Sequence, residues 1–109
     1  MILRMWRGWA RGEGNADAYA AFLRDTFLPA AAAIAGYRGA QVLRRRAGEE
    51  IEFVTLTRFA SMDAIRAFAG ADAEKANVAP RARELLARWD ERCTHFEIVI
   101  GGDDSPAAS

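Results

Sequence analysis

Cysteine, histidine and lysine are nearly absent from this 109-residue sequence, each occurring once, as Cys93, His95 and Lys75. A single cysteine cannot close an internal disulfide, so the chain is expected in a reducing compartment, with the cytoplasm as the default. One imidazole, one thiol and scattered carboxylates provide no ligand spacing of the kind metal centres use, so no metal is expected. A glycine-rich phosphate loop is missing too, because Gly101 and Gly102 follow a strand-like segment but precede no helix. Long apolar runs are lacking: Arg4 and Arg7 interrupt the first apolar stretch, which argues against a signal peptide, and nothing is long enough to span a membrane. Neither charge sign is in excess, with fifteen basic against fifteen acidic residues. That balance removes the bulk attraction that nucleic acid or an anionic membrane surface would need. The one run of like charge, Arg44, Arg45 and Arg46, is offset by Glu49, Glu50 and Glu52 just beyond it.

What is present is a hydrophobic share of 51% that includes 24 alanines, so large core-filling side chains are fewer than the share implies. A length of 109 residues suits one domain, since domains cluster at about 100 to 150 residues. Residues 2–9 carry large apolar side chains on both parities, the mark of a strand covered on both sides. Asn15 can cap a helix with Asp17 in its first turn. That helix should run to about Ala35, burying Tyr19, Phe22, Leu23, Phe27 and Ile34, with a kink from Pro29 near Asp25 and a stop at Gly36. Residues 37–46 and 51–59 read as a hairpin about Gly48. An odd-length loop setting Val42 opposite Val54 and Arg44 opposite Glu52 matches both faces better than a two-residue turn at Ala47 and Gly48. Ser61 caps a second helix over 62–69, Pro80 opens a short helix to about Arg88, and residues 92–100 form a last strand. The domain is expected over 1–100, with 101–109 a disordered tail. This β-α-β-β-α-β order is that of the ferredoxin-like α+β fold, a four-stranded antiparallel sheet with helices on one side.

Two helices cover one face of such a sheet, yet these strands are apolar on both. Parity separates a purely apolar set, Leu3, Met5, Val42, Val54, Leu56, Phe96, Ile98 and Ile100, expected under the helices. The other set mixes bulky and polar groups: Arg4, Trp6, Gln41, Leu43, Phe53, Thr55, Thr57, Phe59, His95, Glu97 and Val99. Aromatic walls with a few polar groups are what small-ligand cavities are made of, and a twofold sheet-to-sheet homodimer would enclose this second face. An ordinary wet dimer interface would look similar.

The first strand, the run Phe53-Val54-Thr55-Leu56-Thr57 leading through Phe59 into the Ser61-capped helix, and the closing residues 89–99 together resemble the antibiotic biosynthesis monooxygenase family. The resemblance spans about residues 1–100. It implies the dimeric α/β barrel, and either cofactor-independent oxygenation of polycyclic phenols or oxidative haem breakdown. Haem-degrading relatives use an Asn on the first strand and a His near the later helical segment. Here the first strand has no Asn and residues 71–88 contain no His, so no cofactor is expected and the pattern argues against haem.

His95 is the one side chain whose unperturbed pKa lies near neutrality, which makes it the candidate base. Glu97 shares its strand face and could orient it, and Arg4 could stabilise a developing phenolate. Trp6, Phe53, Thr55, Thr57 and Phe59 are the candidate ligand-binding residues. The leading expectation is a cofactor-independent monooxygenase acting on an aromatic or polyketide-like small molecule in a dimer-barrel cavity. The alternative is a non-catalytic ligand-binding or interaction module of the same fold, in which His95 is structural, the aromatics only pack and Cys93 is an inert thiol.

Overall fold

The computed structural model describes residues 1–101. Its elements run β1 (Ile2–Arg11), α1 (Glu13–Phe22), a π-helical turn (Leu23–Phe27), α2 (Leu28–Ala32), β2 (Tyr37–Ala47), β3 (Glu50–Phe59), α3 (Met62–Ala69), α4 (Pro80–Leu85), β4 (Leu86–Trp89) and β5 (Thr94–Glu97). The sheet is antiparallel in the order β2-β3-β1-β4, and β5 also pairs β1. β4 lies along residues 8–10 of β1 and β5 along residues 2–5, so the fourth position of the ferredoxin-like sheet is filled by two short strands. The expected tail lies, beyond Gly101, outside the described residues.

Local chemistry accounts for the departures from expectation. The first helix starts earlier than Asn15: Gly12 is its N-cap at φ 85°, and the Asn15 amide instead donates back to the Arg11 carbonyl at 3.1 Å. Pro29 has no N–H to give the carbonyl of Asp25, and just before it the ladder widens, the Leu28 N–H reaching the Leu23 carbonyl five residues back. Gly36 ends the helical segment at φ 95°, in a spot where a Cβ would come within 2.7 Å of the Ala64 Cβ. The hairpin has neither of the registers weighed. Ala47 pairs Glu50, Leu43 pairs Val54 and Val42 pairs Thr55, so the turn residues are Gly48 and Glu49. Gly48 alone has positive φ, 67°, which suits glycine at the first central position of a primed turn. The resulting pair Arg45 and Glu52 closes an ion pair at 2.7 Å. The helix opened by Pro80 stops at Leu85 rather than Arg88, because Leu86 turns extended and continues as β4. The last strand is confined to Thr94–Glu97.

The larger correction concerns the two sheet faces. Ile51, Phe53, Thr55, Thr57 and Phe59 of β3 are buried, while Val54, Leu56 and Arg58 between them are only half-buried. Their β1 partners on the inner face are Ala10, Gly8, Trp6, Arg4 and Ile2. Phe53 meets Tyr19 of α1 edge-on at 4.9 Å, so this odd-numbered set lies under the helices. The expected facing is therefore inverted for Arg4, Trp6, Phe53, Thr55, Thr57, Phe59 and His95. Leu3, Met5, Val54, Leu56 and Phe96 lie on the open face instead, with Phe96 47% exposed. Val42, opposite Thr55, does face the helices. The apolar set was expected inside because burial usually follows hydrophobicity. Here the inner face has a polar interval between two packed clusters. One contains Ile51, Phe53, Tyr19 and Leu85, and the other Phe59 and Ile65 with Ile2 and Phe68 against them.

Candidate active site

Between those clusters lies a cavity of about 100 Å³, partly open to solvent. The sheet supplies its floor, with Arg4 and Trp6 from β1 and Thr55 and Thr57 from β3. Cross-strand register puts Arg4 beside Thr57 and Trp6 beside Thr55, so the polar groups form a compact patch. The roof comes from the first helical segment: Tyr19, Phe22, Leu23 and Phe27. Leu23 and Phe27 bound the π-helical turn, whose widened ladder sets the faces on which they enter. Phe68 of α3 closes one end, packing edge-on to Phe27 at 5.7 Å. Ala76 to Ala79 and Cys93 complete the wall. That segment is tied down by Cys93 N–H to the Glu74 carbonyl at 2.6 Å and by an Arg92–Asp72 ion pair at 2.9 Å.

Arg4 is 7% exposed, and its Nη1 donates to the Ala73 carbonyl at 2.5 Å and lies 2.9 Å from His95 Nε2. Its guanidinium also lies 6.0 Å from the Phe68 ring centre. Burial lowers the Arg4 pKa from its ordinary value, and the adjacent Cys93 thiol opposes that shift. The same burial pushes the Cys93 thiol up, against the pull of Arg4. Tyr19 is raised as well, chiefly by burial. Trp6 is fixed by its indole N–H donating to the Asp90 carbonyl at 2.6 Å. Thr55 is 5% exposed, and its Oγ1 is buried with no hydrogen bond of ordinary length, although it is close enough to the Tyr19 hydroxyl to oppose the rise in that group's pKa. A hydroxyl left wholly unsatisfied costs about 1 to 3 kcal/mol, and the Tyr19 contact offsets part of that here.

Of the residues singled out from sequence, Arg4, Trp6, Thr55 and Thr57 converge on this cavity. Phe53 and Phe59 share their face but sit in the packed clusters on either side. His95 lies behind Arg4, off the cavity lining, with its pKa lowered by burial and then by the Arg4 charge. Glu97 is exposed on the edge strand. Tyr19, Phe22 and Phe27 were legible as buried helix positions but not as cavity walls. Asn77 and Phe68 had no ligand-binding signal at all.

No family model and no curated protein matches the sequence, but solved structures do. A variant of MhuD with two manganese protoporphyrin IX molecules per active site is 25% identical, over 94% of this chain and 100% of that one, with a TM-score of 0.63. MhuD is a haem degrader from Mycobacterium tuberculosis. SnoaB, a cofactor-independent oxygenase from Streptomyces nogalater, is 19% identical over 92% and 95% of the two chains, with a TM-score of 0.59. A protein from Chloroflexus aurantiacus assigned to the antibiotic biosynthesis monooxygenases is 17% identical over 96% and 100%, with a TM-score of 0.51.

The lining here does not fit an iron porphyrin. Its one thiol is held toward the protonated form, and the single imidazole lies outside it with Nε2 engaged. The volume, partly open to solvent, is on the scale of a single ring and far short of a porphyrin. Among the described residues no three His, Cys, Asp or Glu side chains cluster, and no helix is long and apolar enough to cross a membrane.

Proposed function

Starting from a chain with the fold of the antibiotic biosynthesis monooxygenase family, we propose that it binds a small aromatic molecule as its oxyanion in this cavity and exposes it to dioxygen without a cofactor. The observation that carries this reading is the pairing of a buried guanidinium with a buried Thr55 hydroxyl that makes no hydrogen bond of ordinary length, inside an aromatic enclosure. A cation held among low-dielectric walls favours the ionised form of a phenol, and the same ligand would give the Thr55 hydroxyl a hydrogen bond of ordinary length. The volume favours one ring over a polycyclic skeleton. A larger polyketide-like ligand would have to displace the 76–79 wall. Once ionised, an electron-rich ring gives electrons to dioxygen directly. A phenol and one O₂ balance as a quinone and one water, all electrons coming from the substrate.

The open sheet face completes the proposal. Leu3, Met5, Leu43, Val54, Leu56 and Phe96 would pair with a second copy, burying the roughly 1,200 to 2,000 Å² of a specific interface. The chain would work as a homodimer in the cytoplasm, with neither nucleic acid nor membrane as partner. Oxygen uptake with a panel of monocyclic phenols tests the chemistry, and visible absorbance of 4-nitrophenolate tests anion binding. Uptake with none of them and no preference for the anion would sink the reading.

A second reading is favoured by one observation: no lining side chain titrates near neutrality, since burial raises both Tyr19 and Cys93. A non-catalytic ligand-binding module needs no base. Anion binding without oxygen uptake would select it. An oxygenase at this site must instead pass the phenol proton to solvent, with Arg4 lowering the phenol pKa.

A further inference from the structure

We infer that His95 is a positioning residue: as the neutral Nδ1–H tautomer, it accepts a hydrogen bond from Arg4 and holds that guanidinium with its remaining edge toward the cavity. The inference rests on the reading of the cavity as an anion site and assigns the one histidine of the chain, which lies behind that cavity, a role other than proton transfer.

Arginine has N–H donors and no acceptor, so a contact between Arg4 Nη1 and His95 Nε2 at 2.9 Å is a hydrogen bond only if Nε2 carries the lone pair. The ring proton is then on Nδ1. The two residues are cross-strand partners in the β1–β5 register, which fixes their spacing. The same Nη1 also donates to the Ala73 carbonyl, on the segment leading into the cavity wall. Both Nη1 protons are thereby used, one on each side of the group. What remains is the Nε and Nη2 edge, the parallel fork that matches an oxyanion, with the Cys93 thiol beside the guanidinium. The arrangement depends on a neutral ring. The charged groups facing His95 are Arg4 from β1, which disfavours its protonation, and Glu74 from the segment before α4, which favours it. On its own strand Glu97 is exposed. A protonated ring would have no acceptor at Nε2 and would set cation against cation. Arg4 would then lose its hold, and anion affinity would fall on the acid side.

Because the chain has one histidine, long-range ¹H–¹⁵N spectra of the whole protein report a single imidazole. The expected result at pH 7.5 is a protonated Nδ1 and a bare Nε2, with a titration midpoint below the ordinary value of about 6.5. In Arg4→Met the midpoint should rise. An Nε2–H tautomer, or a midpoint unmoved by Arg4→Met, would overturn the inference. Binding of 4-nitrophenolate supplies the second test. His95→Gln, whose amide oxygen can accept from Arg4, should keep the affinity within about threefold, whereas His95→Leu should lose about tenfold or more. Equal losses in both variants would mean that the acceptor is not what matters and would also overturn it. If the tautomer and midpoint are as expected but wild-type protein binds no nitrophenolate, the cavity reading fails and the Arg4–His95 arrangement stands.

Discussion

The two faces of β1 and β3 differ in the opposite sense from a simple inside-outside rule. Toward the helices the pairs run Ala10 with Ile51, Gly8 with Phe53, Trp6 with Thr55, Arg4 with Thr57 and Ile2 with Phe59. Away from them lie Leu3, Met5, Val54 and Leu56. The inner face thus has a guanidinium and two hydroxyls buried at its middle, while the outer face leaves aliphatic side chains half-buried. Burying polar groups is tolerated only with partners, and among the described residues Thr55 Oγ1 makes no hydrogen bond of ordinary length, with only the Tyr19 hydroxyl close to it. An apolar face open to water is likewise an incomplete surface. The comparison teaches that the fold leaves both faces unfinished, and the proposed small ligand and second copy of the chain would each complete one of them.

The largest effect should come from the packed ends of the inner face. Phe59 is fully buried, against Tyr37 at 5.8 Å and Phe68 at 5.7 Å. Phe59→Ala should therefore destabilise the protein by about 3 to 5 kcal/mol in chemical denaturation. A loss under about 1 kcal/mol would mean that this end is as loosely filled as the cavity.

The outer face should respond in assembly more than in folding. Leu56→Asp places a charge at the centre of the apolar patch, opposite Met5 on one side and Gln41 on the other. We expect sedimentation at micromolar concentration to change from dimer to monomer, with nitrophenolate affinity within about twofold of wild type if the cavity belongs to one protomer. A monomeric wild type, or loss of binding together with the dimer, would show that the faces are not separate in function.

Thr55→Val sharpens the contrast through opposite signs. Replacing a hydroxyl that makes no hydrogen bond of ordinary length by a methyl of similar shape should stabilise the ligand-free protein by up to about 1 kcal/mol, or about 4 to 8 °C in Tm. The same change should weaken nitrophenolate binding. If stability falls instead, the hydroxyl has a partner in solution, and it would no longer mark a ligand position.

Much of this was legible in the sequence, and the failures have physical causes. Period-two runs, Gly36, the Ser61 cap and Pro80 located the elements, and the Ser61 hydroxyl does accept from the Ala64 N–H at 3.2 Å. Parity also grouped Arg4, Trp6, Thr55 and Thr57 on one face, and the cavity confirms that they share it. Which face that was could not be read, because this fold buries polar groups on its inner face and leaves aliphatic ones half-buried on the outer, against the usual ranking of burial by hydrophobicity. The hairpin slipped by one residue because matching faces by composition assumed that like residues pair. The turn geometry at Gly48 and the Arg45–Glu52 ion pair set the register instead. Leu86 fell inside the helix expected from Pro80 to about Arg88, whereas it is extended and packs over Gly8, where a Cβ would come within 2.8 Å of it.

The smallest expected effect is on acid stability, and it comes from the inner face alone. Burial first and the Arg4 charge second lower the His95 pKa, so the folded chain resists protonation at this ring more than the unfolded chain does. Between the unfolded value of about 6.5 and the lower folded value, the unfolded state binds more protons, and stability falls with falling pH. Below the folded value both states are protonated and the loss levels off. Above about 6.5 neither state is protonated, and the contribution is constant at its most favourable. The ring is partly exposed, which keeps the effect small, but it has a definite sign. His95→Gln removes this titration, so subtracting its denaturation midpoints from those of wild type should leave a step confined to the acid side of pH 6.5. A step on the alkaline side would mean a raised pKa, an imidazolium stabilised by Glu74 rather than opposed by Arg4. The inner face would then contain an acid-base group after all.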